Sequence, residues 1–102
     1  MNDVLAGFRD SLEHPSPPDG LSPLLTALWW AGKGEWARAH DRVAALSGPD
    51  AAWLHAHLHR WEGDLNNASY WYRNAGREMP DNDLDFDAEW LSIAQALLRV
   101  SQ

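Results

Sequence analysis

Glycine and proline residues break this chain into pieces that are each long enough for one short helix. The breaks fall at PSPPDG, at the two glycines of GKG, at SGPD, at the Gly-Asp pair 63–64 and at EMPDNDLDFD. Between them, apolar residues recur every three or four positions, as on a buried helix face, and no piece shows the alternation of a strand. We therefore predict an all-α fold of about six helices in a compact bundle, with short connections that make consecutive helices mostly antiparallel.

The ends of the predicted helices carry their own signals. Ser22 followed by Pro23 is typical of a helix start, because the hydroxyl caps free N–H groups and proline fits the first turn. Asp64 is placed in the same way to cap the helix that follows Gly63. The predicted units are helical hairpins at about 22–47 and 49–80 and a final helix at about 87–100.

Composition and charge narrow the class of protein. The chain has 102 residues, 45% of them hydrophobic, which is typical of one globular domain spanning 1–102. Its formal charge is −7, and such a surface repels the phosphates of nucleic acids. The absence of cysteine excludes disulfides and thiolate metal sites. The longest apolar run, LLTALWWAG, is too short to span a bilayer, and the N-terminus lacks a secretion signal. We expect a cytoplasmic protein that binds neither membranes nor nucleic acid.

An internal repeat is visible in the middle of the chain. Ala27 precedes Gly34 by seven positions, and Ala56 precedes Gly63 by the same distance. After the glycines, small or apolar residues follow at matching spacing: Ala39, Val43 and Leu46 in the first unit, and Ala68, Tyr72 and Ala75 in the second. The pattern resembles the tetratricopeptide repeat (TPR), in which a small residue on the first helix lets the second helix pack closely. The resemblance implies two TPR-like hairpins with the first and last helices as caps.

A second resemblance is confined to one segment. HAHLHRWEGDLNNASYWY resembles a signature, W-H-A-x-x-H-R-x-E-G-D-x-x-N-x-x-Y-W-Y, of a group of uncharacterised bacterial and fungal proteins. The matching residues are His55, Ala56, His59, Arg60, Glu62, Gly63, Asp64, Asn67, Tyr70, Trp71 and Tyr72. Leu54 stands where the group has tryptophan, and AHDRVAAL around His40 is a weaker match. The resemblance implies a site in this segment and implies no reaction.

The three histidines at alternate positions of the predicted helix 51–62 do not share one face. At about 100° per residue, His55, His59 and Glu62 lie on one stripe. His57 and Arg60 lie on the far side. The stripe of His55 and His59 is expected to face partner helices, where an imidazole without hydrogen bonds costs about 1–3 kcal/mol.

Three interpretations of this stripe are open. Imidazoles at i and i+4 can bind one divalent metal such as zinc, with Glu62 or His40 as a third ligand. A neutral histidine pair can instead form a polar pocket that binds a small ligand or performs acid–base chemistry. The candidates for that pocket are His55, His59, Arg60, Glu62, Asn67 and Tyr70. The third interpretation is a buried hydrogen-bond network that sets the register of the helices.

Two further segments have structural interpretations. Tyr70 and Trp71 belong to a face that needs cover, which we expect from the final helix or, as the alternative, from a second chain. The segment DNDLDFDAE lacks the glycine and the distal glutamate of a calcium loop, so it predicts a solvated loop that caps the last helix. Its acidic residues are Asp81, Asp83, Asp85, Asp87 and Glu89.

The sequence therefore predicts a TPR-like protein-interaction or scaffolding module, whose partner is another protein or a second copy of the chain. The alternative is a small metal- or ligand-binding protein with its polar site on helix 51–62. No cofactor is expected of the first, and a divalent ion such as zinc is expected of the second. The sequence has no motif that identifies a reaction, so a binding role is favoured over an enzymatic one.

Overall fold

Helices account for all the regular structure in the described part of the chain, which in this computed structural model comprises residues 3–81 and 85–101. The helices are α1 (Asp3–Asp10), α2 (Pro23–Gly32), α3 (Trp36–Ala44), α4 (Pro49–Trp61), α5 (Leu65–Ala75) and α6 (Phe86–Ser101), with a turn of 3-10 helix (Ser11–Glu13) after α1. The predicted all-α bundle is confirmed. Its radius of gyration is 12.7 Å, close to the value of about 13 Å for 100 packed residues. None of the described helices is both long enough and apolar enough to cross a membrane.

The helix boundaries lie close to those predicted. Ser22 caps α2, because its hydroxyl oxygen accepts a hydrogen bond from the N–H of Leu25 at 3.2 Å. Asp64 caps α5 in the same way, through the N–H of Asn67 at 3.3 Å. The last helix extends slightly beyond the predicted 87–100 at both ends. Asp83 of the predicted acidic loop lies outside the described residues.

Two helical hairpins turn in the same way. α2 turns into α3 at Gly34, with φ of +80°, and α4 turns into α5 at Gly63, with φ of +88°. Both values lie in the left-handed region, which strains any residue that has a Cβ atom. In each turn the N–H of the next residue donates to a carbonyl of the preceding helix, at 3.0 Å after Gly34 and 2.9 Å after Gly63. The two helices of each hairpin consequently pack against one another.

α4 is enclosed by the other helices. Every residue from 51 to 60 is buried, including three histidines and Arg60. The side that carries His55 contacts α3 and α5, and the side that carries His57 contacts α6. A helix that is buried all round is normally apolar all round. The buried polar side chains of α4 therefore depend on partners, which come from neighbouring helices for His55, His57 and Arg60 and from Glu62 at the end of α4 for His59.

α6 packs on α4, α2 and α1. Its Trp90 is buried, stacks on Phe8 with ring centroids 5.7 Å apart, and donates from Nε1 to the carbonyl oxygen of Leu28 at 2.8 Å. The prediction that the final helix covers the aromatic face of α5 is wrong for Tyr70, which is 49% exposed. The physical reason is that the apolar side of α6 is already occupied by its contacts with the other helices.

Gly32 at the end of α2 allows Trp90 to approach closely. A Cβ atom at position 32 would lie 2.8 Å from Cζ2 of Trp90 and 3.1 Å from Cδ1 of Leu12. Carbon atoms in good contact are about 3.5–4.0 Å apart, so either neighbour would have to move. Trp90 is held by its hydrogen bond to Leu28 and has little freedom to do so.

We predict that Gly32→Ala lowers the free energy of unfolding by on the order of 1 kcal/mol, because overpacking outweighs the better helix propensity of alanine. Gly7→Ala is the matched control, since Gly7 lies within α1 and no atom lies within 4 Å of its added Cβ. That control should raise the free energy by about 0.5–1 kcal/mol. Urea denaturation measures both changes, and a stabilising effect of Gly32→Ala would contradict the close packing of Trp90.

Candidate functional site: a cluster of three histidines

Three imidazoles meet at the contact between α3 and α4. His40 comes from α3, and His55 and His59 come from successive turns of α4. Nε2 of His55 lies 3.2 Å from Nε2 of His40, and one ring nitrogen from each histidine lies within 4.8 Å of the other two. The rings of His55 and His59 are stacked, with centroids 4.9 Å apart. The composition and spacing of this three-histidine cluster suit a metal ion.

Two tryptophans hold the rings of the cluster in place. Trp36 stacks on His40 with centroids 4.6 Å apart, and Trp71 stacks on His55 with centroids 4.0 Å apart. Trp36 is itself anchored, because its Nε1 donates to the carbonyl oxygen of Leu58 at 2.7 Å. The stacking sets the planes of both imidazoles, so their nitrogens are oriented in advance of any ligand.

Glu62 joins the cluster through His59. Its Oε1 accepts a hydrogen bond from Nδ1 of His59 at 2.7 Å. In the neutral ring this bond places the proton on Nδ1 and leaves a lone pair on Nε2. A carboxylate behind an imidazole is the usual outer partner of a metal-bound histidine. Glu62 also forms a second group of nearby ligand atoms with His59 and Asp64, but both of its acids are exposed.

His55 is uncharged at neutral pH. Burial lowers its pKa, and the adjacent rings of His59 and His40 add to the effect, which brings the pKa to about 4 from an ordinary value of 6.5. A proton on His55 would place a positive charge in a largely buried position beside two other imidazoles. The ring therefore keeps a lone pair for a hydrogen-bond donor or a metal ion.

A second polar cluster lies on the other side of α4, around Glu89 of α6. Oε1 of Glu89 accepts hydrogen bonds from Nδ1 of His57 at 2.7 Å and from Nη2 of Arg60 at 3.1 Å, and Oε2 accepts one from the hydroxyl of Tyr72. All four side chains are buried. Burial by itself raises the pKa of Glu89, but the hydrogen bonds from His57 and Tyr72 and the charge of Arg60 lower it below its ordinary value. Glu89 is consequently ionised.

The structure divides the pocket that the sequence predicts. His55, His59 and Glu62 lie together, and His40 joins them. The other predicted members have separate positions. Arg60 belongs to the Glu89 cluster, Asn67 donates from Nδ2 to the capping carboxylate of Asp64 at 3.2 Å, and the exposed ring of Tyr70 contacts Trp71.

Sequence reasoning missed Glu89 and the two stacking tryptophans. Glu89 ends a run of alternating acids, which predicts a solvated loop, yet it is 4% exposed. A signal was present in its spacing, because Glu89, Ile93 and Leu97 recur every fourth residue, and the last two are core residues of α6. For Trp36 and Trp71 the sequence offers only an aromatic residue on a helix, which does not specify a histidine as its partner.

Comparisons with known proteins leave the family open. No protein-family model, no curated protein and no solved structure matches this chain. The two resemblances noted in the sequence therefore stay predictions, and the two polar clusters of α4 are the features that bear on function.

We predict that Glu89→Gln destabilises the fold by about 3–5 kcal/mol, because it removes one partner of the buried ion pair between Glu89 and Arg60. Asp87→Asn is the matched control two residues earlier on α6. Asp87 pairs with Arg9 at 3.3 Å on the surface, and removing an exposed ion pair should cost less than about 1 kcal/mol. Guanidinium denaturation of the two variants gives both values. Equal costs would show that the Glu89 cluster is no more important than a surface pair.

The depressed pKa of His55 predicts a loss of stability in acid for the metal-free protein. Above pH 6.5 the ring of His55 is neutral in both the folded and the unfolded chain, so its titration does not reduce the free energy of unfolding there. Between about pH 6.5 and about pH 4, position 55 binds a proton in the unfolded chain but not in the folded chain. The free energy of unfolding therefore decreases as the pH is lowered through this range. Urea denaturation in EDTA across this range measures the slope.

Two variants test whether His55 causes this pH dependence of the free energy of unfolding. His55→Phe keeps a ring on Trp71 and should flatten the pH profile, since no group at position 55 can then titrate. His14→Ala removes an exposed histidine and should leave the profile as in the wild type. A profile that His55→Phe does not change would refute the assignment.

Proposed function

We propose that this protein binds one divalent transition-metal ion, zinc in the first instance, through His40, His55 and His59. The observation that carries the proposal is the distance of 3.2 Å between Nε2 of His40 and Nε2 of His55. Two nitrogens on a tetrahedral zinc ion, each at about 2.0–2.1 Å from it, are about 3.3–3.4 Å apart. A ring nitrogen of His59 lies within 4.8 Å of the other two nitrogens. A small rotation of its ring would bring that nitrogen to the distance of a third ligand.

The surroundings of the three rings support a metal over a purely structural network. Glu62 orients His59 so that Nε2 is its free acceptor, and the low pKa of His55 keeps that ring neutral. A ring nitrogen that carries no proton is what a metal requires, whereas a structural hydrogen-bond network requires a donor for each acceptor. One cation would satisfy several of these lone pairs together.

A three-histidine site leaves one position of a tetrahedron for water or another ligand. Three protein ligands with an open fourth position are typical of catalytic zinc sites, and four protein ligands are typical of structural ones. His40 is half-buried and the side chain of Glu62 is 38% exposed, so an ion can enter from the edge of α3 and α4. Imidazole ligands without thiolates also suit copper and nickel, so zinc is chosen on geometry and availability.

The second candidate is a protein-interaction or scaffolding module with TPR-like hairpins. Its support is the matching turn geometry at Gly34 and Gly63, together with the exposed ring of Tyr70 beside Trp71. The metal-binding function stands ahead of it because three converging imidazoles are a specific chemical arrangement. Helical hairpins serve many roles, and fold by itself does not decide among them.

The proposal is tested by thermal unfolding of the protein with zinc chloride and with EDTA. A ligand of the folded state at 100 times its Kd adds about 2.7 kcal/mol to the free energy of unfolding. For a domain of this size that is a rise in Tm on the order of 10 °C. Cobalt(II) titration should give the visible absorption bands of a tetrahedral ion.

Two variants distinguish the three-histidine site from zinc bound elsewhere. His40→Phe keeps a ring against Trp36 but removes both nitrogens, and it should abolish the rise in Tm and the cobalt bands. His14→Ala is the matched control on the surface and should keep both. The proposal is wrong if zinc does not stabilise the wild type, or if it stabilises His40→Phe as strongly.

A further inference from the structure

A cavity with aromatic walls lies on the side of α4 away from the three-histidine cluster. Its volume is about 280 Å³, and it lies where α1, α2, α4 and α6 meet. Most of its lining is apolar, and Trp61, Phe86 and Trp90 supply three aromatic rings. At its exposed rim, Arg9 and Asp87 form a surface ion pair at 3.3 Å.

His57 is the one imidazole among the residues that line this cavity, and one edge of its ring is unsatisfied. Nδ1 is bound to Glu89 at 2.7 Å, whereas Nε2 has no hydrogen-bond partner in the described part of the chain. Among the described residues, one side-chain nitrogen or oxygen is fully buried without a hydrogen-bond partner, and it belongs to Trp30. Nε2 of His57 has no partner and is not that atom, so it is not fully buried. Glu89 does not line the cavity, so the accessible edge of His57 is the Nε2 edge.

The polar contacts around His57 leave Nε2 as its available nitrogen. Nδ1 is held by Glu89 at 2.7 Å, and Glu89 is also in contact with Arg60 at 3.1 and 3.3 Å. Because Nδ1 is occupied, Nε2 is the one polar atom of the ring that can form a hydrogen bond with a ligand in the cavity.

We propose that this cavity is a second binding site, for a small planar aromatic molecule of the phenol class, whose hydroxyl group forms a hydrogen bond with Nε2 of His57. The size agrees, since a cavity of about 150 Å³ already holds a benzene ring. The aromatic walls offer edge-to-face and stacked contacts to such a ring. A hydroxyl group is required because an apolar ligand would cover Nε2 without replacing the hydrogen bond that this nitrogen can form with water.

The probe pair that tests the proposal is phenol and toluene, which have nearly the same shape and differ in the hydroxyl group. Each is titrated into the wild-type protein, and the indole N–H signals of Trp61 and Trp90 and the ring nitrogen signals of His57 are followed by NMR. We expect saturable binding of phenol at the two indoles, a shift of the Nε2 signal, and an affinity at least about fivefold above that of toluene. If the cavity offered no hydrogen-bond partner, toluene would bind more tightly than phenol, because the hydroxyl group of phenol would lose its contact with water without replacement.

A pocket-filling variant locates the binding without touching the Glu89 cluster. Ala31 lines the cavity, and Ala31→Leu should weaken phenol binding at least tenfold. The matched control is Ala37→Leu on the exposed surface of α3, which should bind phenol as the wild type does. If Ala31→Leu does not fold, the two probes on the wild type decide. The proposal is overturned if phenol does not saturate the two indole signals at millimolar concentration, or if toluene binds as tightly as phenol.

Discussion

A buried carboxylate on the last helix organises the packing of this protein. Glu89 of α6 accepts hydrogen bonds from His57 and Arg60 of α4 and from Tyr72 of α5. An ionised carboxylate in the core is costly unless its partners are all in place. They meet only when α4, α5 and α6 adopt one register, so we infer that the Glu89 cluster selects this arrangement among the others that apolar contacts would tolerate. The same cluster orients the one histidine that faces the aromatic cavity.

The enclosure of α4 explains why alternate histidines have different roles. His55 and His59 are four residues apart and lie on one side, whereas His57 between them is turned by about 200° from either. On an exposed helix, one of these sides would face water. Here α3 and α5 cover the first side and α6 covers the second, so both sides contribute to polar sites. The three-histidine cluster and the aromatic cavity are thus two products of a single buried helix.

The parts of the structure that depend on near neighbours in sequence were predictable. Turn chemistry and helix periodicity act over a few residues. They predict the turns at glycine, the caps Ser22 and Asp64, and the two hairpins. The pairing of His55 with His59 and Glu62 follows from the same periodicity. Its third imidazole, His40, was a candidate partner, but only the packing of α3 on α4 brings its Nε2 to 3.2 Å. The stacking of Trp36 and Trp71 on two of the rings depends on that packing as well.

The amino-acid sequence by itself determined where helices start and stop, because caps, glycines with positive φ and apolar stripes are local properties. Only the tertiary structure decided which polar residues are buried. In the sequence, Glu89 looks like one more acid in a solvated run, and Arg60 looks like a candidate for the polar pocket of His55 and His59. Both residues are buried because α6 packs on the far side of α4. This contact joins residues that are far apart in the chain, and no local sequence pattern predicts that they meet.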